Sequence, residues 1–91
     1  MNSCCFVRDE DQKKALLTYL RIPKLIENHS FLIICESRKL CEEITNMLNK
    51  EGFKALSINY FKTLEAQKSA MYSFIKRNTD ILVTIEGFYL D

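Results

Sequence analysis

The sequence predicts an α/β domain whose parallel sheet carries helices on both faces. An unbroken apolar run, Phe31–Cys35 (FLIIC), bounded by polar residues, reads as a strand covered on both sides, the pattern of a parallel sheet. Strand-like and helix-like stretches then alternate as βα followed by βαβαβ, with short connections that call for right-handed crossovers.

In chain order, Cys4–Val7 (CCFV) is a short β-prone run. Asp9, Glu10 and Asp11 follow it and suit a helix start, with Asp9 as cap and the other carboxylates at the positive end of the dipole. Leu16, Leu17 and Leu20 form its apolar stripe, and Pro23 should stop or interrupt it. Lys24–Ser30 reads as a short helical turn or loop leading into the main strand.

After that strand a helix opens at Ser37-Arg38-Lys39. Leu40, Cys41, Ile44, Met47 and Leu48 recur with helical period, while Lys39, Glu42, Glu43 and Lys50 take the opposite side. Gly52 stands where a left-handed C-terminal cap is needed, and Phe53 supplies its usual apolar partner. Phe53–Ile58 is the next strand and Thr63–Lys76 the next helix, with Leu64, Ala66, Ala70, Met71, Phe74 and Ile75 as its apolar residues. Ile81–Ile85 is the last strand.

A chain of 91 residues, 47% apolar and 27% charged, holds one core, so residues 1–91 form a single small domain or a piece of one. A net charge of +1 gives no overall attraction for nucleic acid, and any phosphate binding must come from the local placement of Lys and Arg. Cys4, Cys5, Cys35 and Cys41 lack CxxC spacing, and His29 follows none of them at a zinc-finger interval, which argues against a metal site. Cys35 and Cys41 fall on core positions as free thiols of a reducing compartment. With no signal-like segment and no apolar run of membrane length, the expected location is cytoplasmic or nuclear, without a membrane.

Neither GxxxxGK[ST] nor GxGxxG occurs, and Gly52 and Gly87 alone cannot build a phosphate-cradling loop. The lone histidine lies before the main strand, away from Ser37, so no Ser-His or Cys-His set is available for covalent catalysis. Ligands of parallel α/β folds bind at the carboxyl ends of the strands, where Ser37 and Arg38 fall. Ser37 also suits a plain helix cap and Arg38 a solvated first-turn residue. Tyr60 and Phe61 could stack a base, although two aromatics beside a strand end are more often packing. Lys13, Lys14, Lys24, Lys76 and Arg77 read most simply as solvated surface.

CCFV, DEDQKKALLTYL and FLIICESRK, followed by a helix ending in Gly-Phe, a strand, a helix ending in a Phe-basic pair and ILVT at Ile81–Thr84, together resemble the second RecA-like lobe of DEAD-box RNA helicases. The likeness covers essentially the whole chain, with FLIICESRK as motif IV and Thr84 opening motif V. Three places depart from the family pattern. Asn59-Tyr60 stands where the family has His-Gly, and the Q-x-x-R of the following helix is displaced into Leu64 and Gln67. Motif V is shortened to TIEGFYLD without its Arg, and motif VI would lie beyond Asp91.

The resemblance implies RNA contacts from Ser37, Arg38, Thr84 and Gly87, and an ATP-facing side at Glu86 and Asp91. It implies no catalytic residue in this chain; ATP and magnesium belong to a parent whose first RecA-like lobe holds the phosphate loop. In such a machine ATP closes the lobes on single-stranded RNA, and hydrolysis reopens them. The alternative expectation is a catalytically degenerate helicase-like scaffold or interaction module of an RNA-silencing or germline granule protein. Either way the sheet should be incomplete, leaving an open edge for self-association.

Overall fold

The structure is a computed structural model that describes residues 2–22 and 30–88. His29, Lys24, Pro23 and Asp91, and with them the predicted turn before the main strand, lie outside the described residues. The elements run β1 (Asn2–Val7), α1 (Glu10–Leu20), β2 (Ser30–Cys35), α2 (Arg38–Lys50), β3 (Ala55–Ile58), α3 (Leu64–Ile75) and β4 (Ile81–Ile85). All strand pairs are parallel in the order β1-β2-β4-β3, so the fold is α/β as its alternation predicts.

Side-chain alternation along the strands divides the interior into two layers. Phe31, Ile33 and Cys35 of β2, with Ile81 and Val83 of β4, meet Leu16 and Leu20 of α1 and Leu40, Cys41, Ile44 and Leu48 of α2. On the opposite face Leu82 and Ile58 meet Ala70 of α3, with Leu32, Met71, Phe74 and Phe88 around them. Helices therefore cover both faces, α1 and α2 on one and α3 on the other. Two connections that move in one direction across the sheet and a third that returns on the opposite face all share one hand.

The helix ends are set locally. Asp9, Ser37 and Thr63 each accept a backbone N–H three residues on, from Gln12, Leu40 and Ala66, at 2.8, 3.2 and 3.1 Å. Helix α1 ends at Leu20 with Arg21 as its cap, before Pro23. Helix α2 ends in a Schellman motif: Gly52 N–H donates to Asn49 O at 3.1 Å, Phe53 N–H to Leu48 O at 3.0 Å, and Gly52 has φ 94°. Phe53 packs half-buried on the core as the motif's apolar contact. That use of Phe53 is why β3 starts at Ala55, later than the sequence alone indicates.

The two sheet edges differ. Lys54 O accepts from Asp80 and Ile81 of the β4 side, so by alternation Ala55 turns its backbone groups outward. The Asn49 side chain receives them: Ala55 N–H donates to Oδ1 at 3.1 Å, and Nδ2 donates to Ala55 O at 3.0 Å. The amide of Asn49 thus stands where another strand would. At the other edge Glu36 N–H donates to Val7 O, which turns Cys4 and Phe6 outward on β1.

Candidate nucleic-acid interface

Helix α2 leaves β2 over one face and α3 follows β3 over the other, so the connections diverge around the carboxyl end of β4. This divergence is the switch point at which open parallel sheets form their ligand crevice. Ser37 and Arg38 begin α2 on one bank, residues 59–63 lead into α3 on the other, and Glu86 and Gly87 follow β4 between them.

Asn59 shapes the second bank. It is fully buried, its Oδ1 accepts Phe61 N–H at 2.9 Å, and Lys62 N–H closes the turn on Asn59 O at 3.1 Å. Its Nδ2 lies 3.5 Å from Glu42 Oε1, which also pairs with Lys62 Nζ at 3.1 Å. Gln67 Nε2 donates to Lys62 O at 3.0 Å. The displaced glutamine of the sequence pattern thus braces this turn. Anchored so, the turn lifts Tyr60 and Phe61 into solvent, 65% and 64% exposed. The expectation that the pair is packing holds in part for Tyr60, which meets Phe88, and not for Phe61, whose ring faces solvent and Arg38. The sequence carries a signal for it in Asn59, whose short amide can close a turn on its own backbone.

Arg38 reaches across the crevice and lies over the Phe61 ring at 4.4 Å from its centroid. It forms no ion pair among the described residues. Tyr60 meets Phe88 edge-on with centroids 4.5 Å apart, and its hydroxyl donates to Gly87 O at 3.5 Å. Arg38, Phe61, Tyr60 and Gly87 therefore form one continuous strip, so the structure joins the start of α2 to the end of β4 through the aromatic turn.

The remaining predicted residues are placed differently. Ser37 is exposed, and its hydroxyl serves as the α2 cap. Thr84 is only 6% exposed, on the α3 side of the sheet, and its Oγ1 has no hydrogen-bond partner among the described residues. Gly87, with φ 87°, occupies the turn closed by Phe88 N–H on Ile85 O at 3.1 Å. Glu86 pairs with Arg8 at 3.3 Å, both exposed. Charges in this region largely cancel in pairs, leaving Glu36, Arg38 and Lys39 outside any ion pair among the described residues.

Beneath the site lie two thiols that the sequence places in the core, Cys35 and Cys41, both fully buried and free. Cys41 Sγ donates to Val83 O at 3.6 Å. The Cys35 thiol is held well above its ordinary range, first by its hydrogen bond to Cys41 and then by burial, whereas accepting that bond lowers Cys41. Among the described residues no three His, Cys, Asp or Glu side chains group to hold a metal ion, and no helix is long and apolar enough to cross a membrane.

No protein-family description matches the chain, and no curated protein matches it in sequence.

Proposed function

We propose that this chain is the RNA-binding C-terminal lobe of an ATP-dependent RNA helicase of the DEAD-box type, closing on single-stranded RNA together with a first, ATP-binding lobe. The observation that carries the reading is the crevice itself: Arg38, in no ion pair among the described residues, begins α2 after β2, and Gly87 follows β4, at the carboxyl ends of adjacent parallel strands. A guanidinium and helix-start N–H groups suit phosphate oxygens, and they position a strand without reading its sequence.

The residues of this chain do not by themselves fit ATP and magnesium. No phosphate-cradling loop is present, and Glu86 is engaged with Arg8. The nucleotide and its metal belong to the first lobe, and the part of this chain is to grip RNA and to present its crevice to that lobe.

The test combines this chain with a P-loop-bearing first lobe and measures ATP hydrolysis with and without single-stranded RNA. Stimulation by RNA that requires this chain and drops in Arg38→Ala supports the reading. Hydrolysis indifferent to this chain refutes it.

A further inference from the structure

We propose that the turn from Asn59 to Lys62 is a base-stacking platform, on which the exposed ring of Phe61 receives an unpaired base of single-stranded RNA while Arg38 meets the adjoining phosphate. The inference rests on the RNA-binding reading above and adds to it a contact with the base itself.

Phe61 is a costly residue to leave in water, since its ring keeps most of its apolar area exposed. It is not there by slack packing. Asn59 Oδ1 holds the Phe61 N–H, Asn59 is buried, and Gln67 and the Glu42–Lys62 pair fix the rest of the turn. The ring is thus presented by a braced turn. The Arg38 guanidinium at 4.4 Å occupies one side of it, and a cation over a ring still offers N–H donors at its rim. One flat apolar surface beside one uncompensated cation is the pairing that a single nucleotide presents in reverse, a planar base joined to a phosphate.

The surroundings favour a nucleotide over an apolar protein surface. Glu36 and Lys39 stand close to Arg38 in the chain and Lys62, paired with Glu42, follows Phe61 directly, so charged residues accompany the apolar ring. Tyr60, turned edge-on against Phe88, flanks Phe61 and marks the direction in which a second base would lie. Because most neighbouring charges cancel in pairs, electrostatic attraction here rests mainly on Arg38 and Lys39, and stacking adds to it a contribution that depends little on salt.

The chain contains no Trp, so Phe61→Trp installs a single reporter at the platform. Single-stranded RNA and a matched oligomer with abasic sugars carry the same phosphates and differ only in bases. Both are titrated against the wild-type chain, Phe61→Trp and Phe61→Leu, with thermal melts confirming that the variants fold. The expected result is that wild type prefers RNA over the abasic oligomer, that Phe61→Leu weakens RNA binding about tenfold and leaves the abasic oligomer unchanged, and that only RNA quenches the indole fluorescence of the Phe61→Trp variant.

Equal affinity of wild type for the two oligomers, or an equal loss on both in Phe61→Leu, overturns the stacking platform and leaves the RNA reading standing. Binding of neither oligomer overturns the RNA reading and the platform with it.

Discussion

Arg77 closes α3 in a conformation that suits glycine. Its φ is 61°, and Arg77 N–H on Phe74 O at 3.1 Å with Asn78 N–H on Ser73 O at 2.8 Å makes the same Schellman pair that Gly52 makes for α2. A left-handed residue with a Cβ costs about 1 kcal/mol, so Arg77→Gly should raise stability by that amount and the melting temperature by roughly 4–8 °C. An unchanged melt would show that the turn bears no strain. Thr84 offers a second test. Its buried hydroxyl has no partner among the described residues, and Thr84→Val keeps the shape while removing an orphan polar atom, so about 1 kcal/mol of added stability is expected in denaturant titration. Gly52 announced its cap in the sequence because glycine is the residue such a cap prefers. Arg77, read as solvated surface, gave no sign of the same geometry because nothing in its chemistry prefers it. The buried positions of Cys35 and Cys41 were legible from apolar context. In a labelling time course with a neutral alkylating agent Cys4 should react first and Cys5 slowly, its thiol raised by burial, while Cys35 and Cys41 react only on unfolding.

At the scale of elements, every described strand and helix was visible as a change of hydrophobic period, because buried parallel strands are continuous apolar runs and surface helices are not. What period could not show is how the ends are used. Phe53 looks like the start of β3 but serves the cap of α2, and Leu64, Tyr72 and Ile75 of α3 stay exposed although they are apolar. Helix α3 lies on β3 and β4 by a stripe of Ala70, Met71 and Phe74, and Leu64, Tyr72 and Ile75 fall outside it. The edge of β3 was equally hidden, since Asn49 reads as an ordinary polar helix residue. Its two hydrogen bonds to Ala55 are replaced only by water in Asn49→Ala, which should lose about 1–2 kcal/mol in chemical denaturation. Loss of stability within error would mean that the amide does not secure this edge.

At the scale of the molecule, among the described residues the sheet is shielded at its β3 edge by Asn49 and uncovered at its β1 edge. Strand β1 carries no charge or proline across NSCCFV, Phe6 is 54% exposed, and the α3 side of β1 and β2 has only half-buried Leu32 and Ile34 beside it. Such an edge favours strand addition, so the chain should self-associate at high concentration in sedimentation equilibrium, and Phe6→Lys should shift it toward monomer. A strict monomer at all concentrations would contradict this. The crevice lies at the carboxyl ends of the strands, so the proposed RNA binding and the expected edge pairing would use different surfaces. Sequence order placed Ser37 and Arg38 at that crevice, but only the fold brings Phe61 under Arg38, because residues so distant in the chain meet through the order β2-β4-β3.

On the proposed function, the crevice grips single-stranded RNA through Arg38. Fluorescence anisotropy of a short labelled RNA, titrated with the wild-type chain and Arg38→Ala between roughly 50 and 200 mM salt, tests it most directly. Binding should weaken as salt rises, with about tenfold lower affinity and a shallower salt dependence in Arg38→Ala. The same affinity and the same salt dependence in both proteins would contradict it.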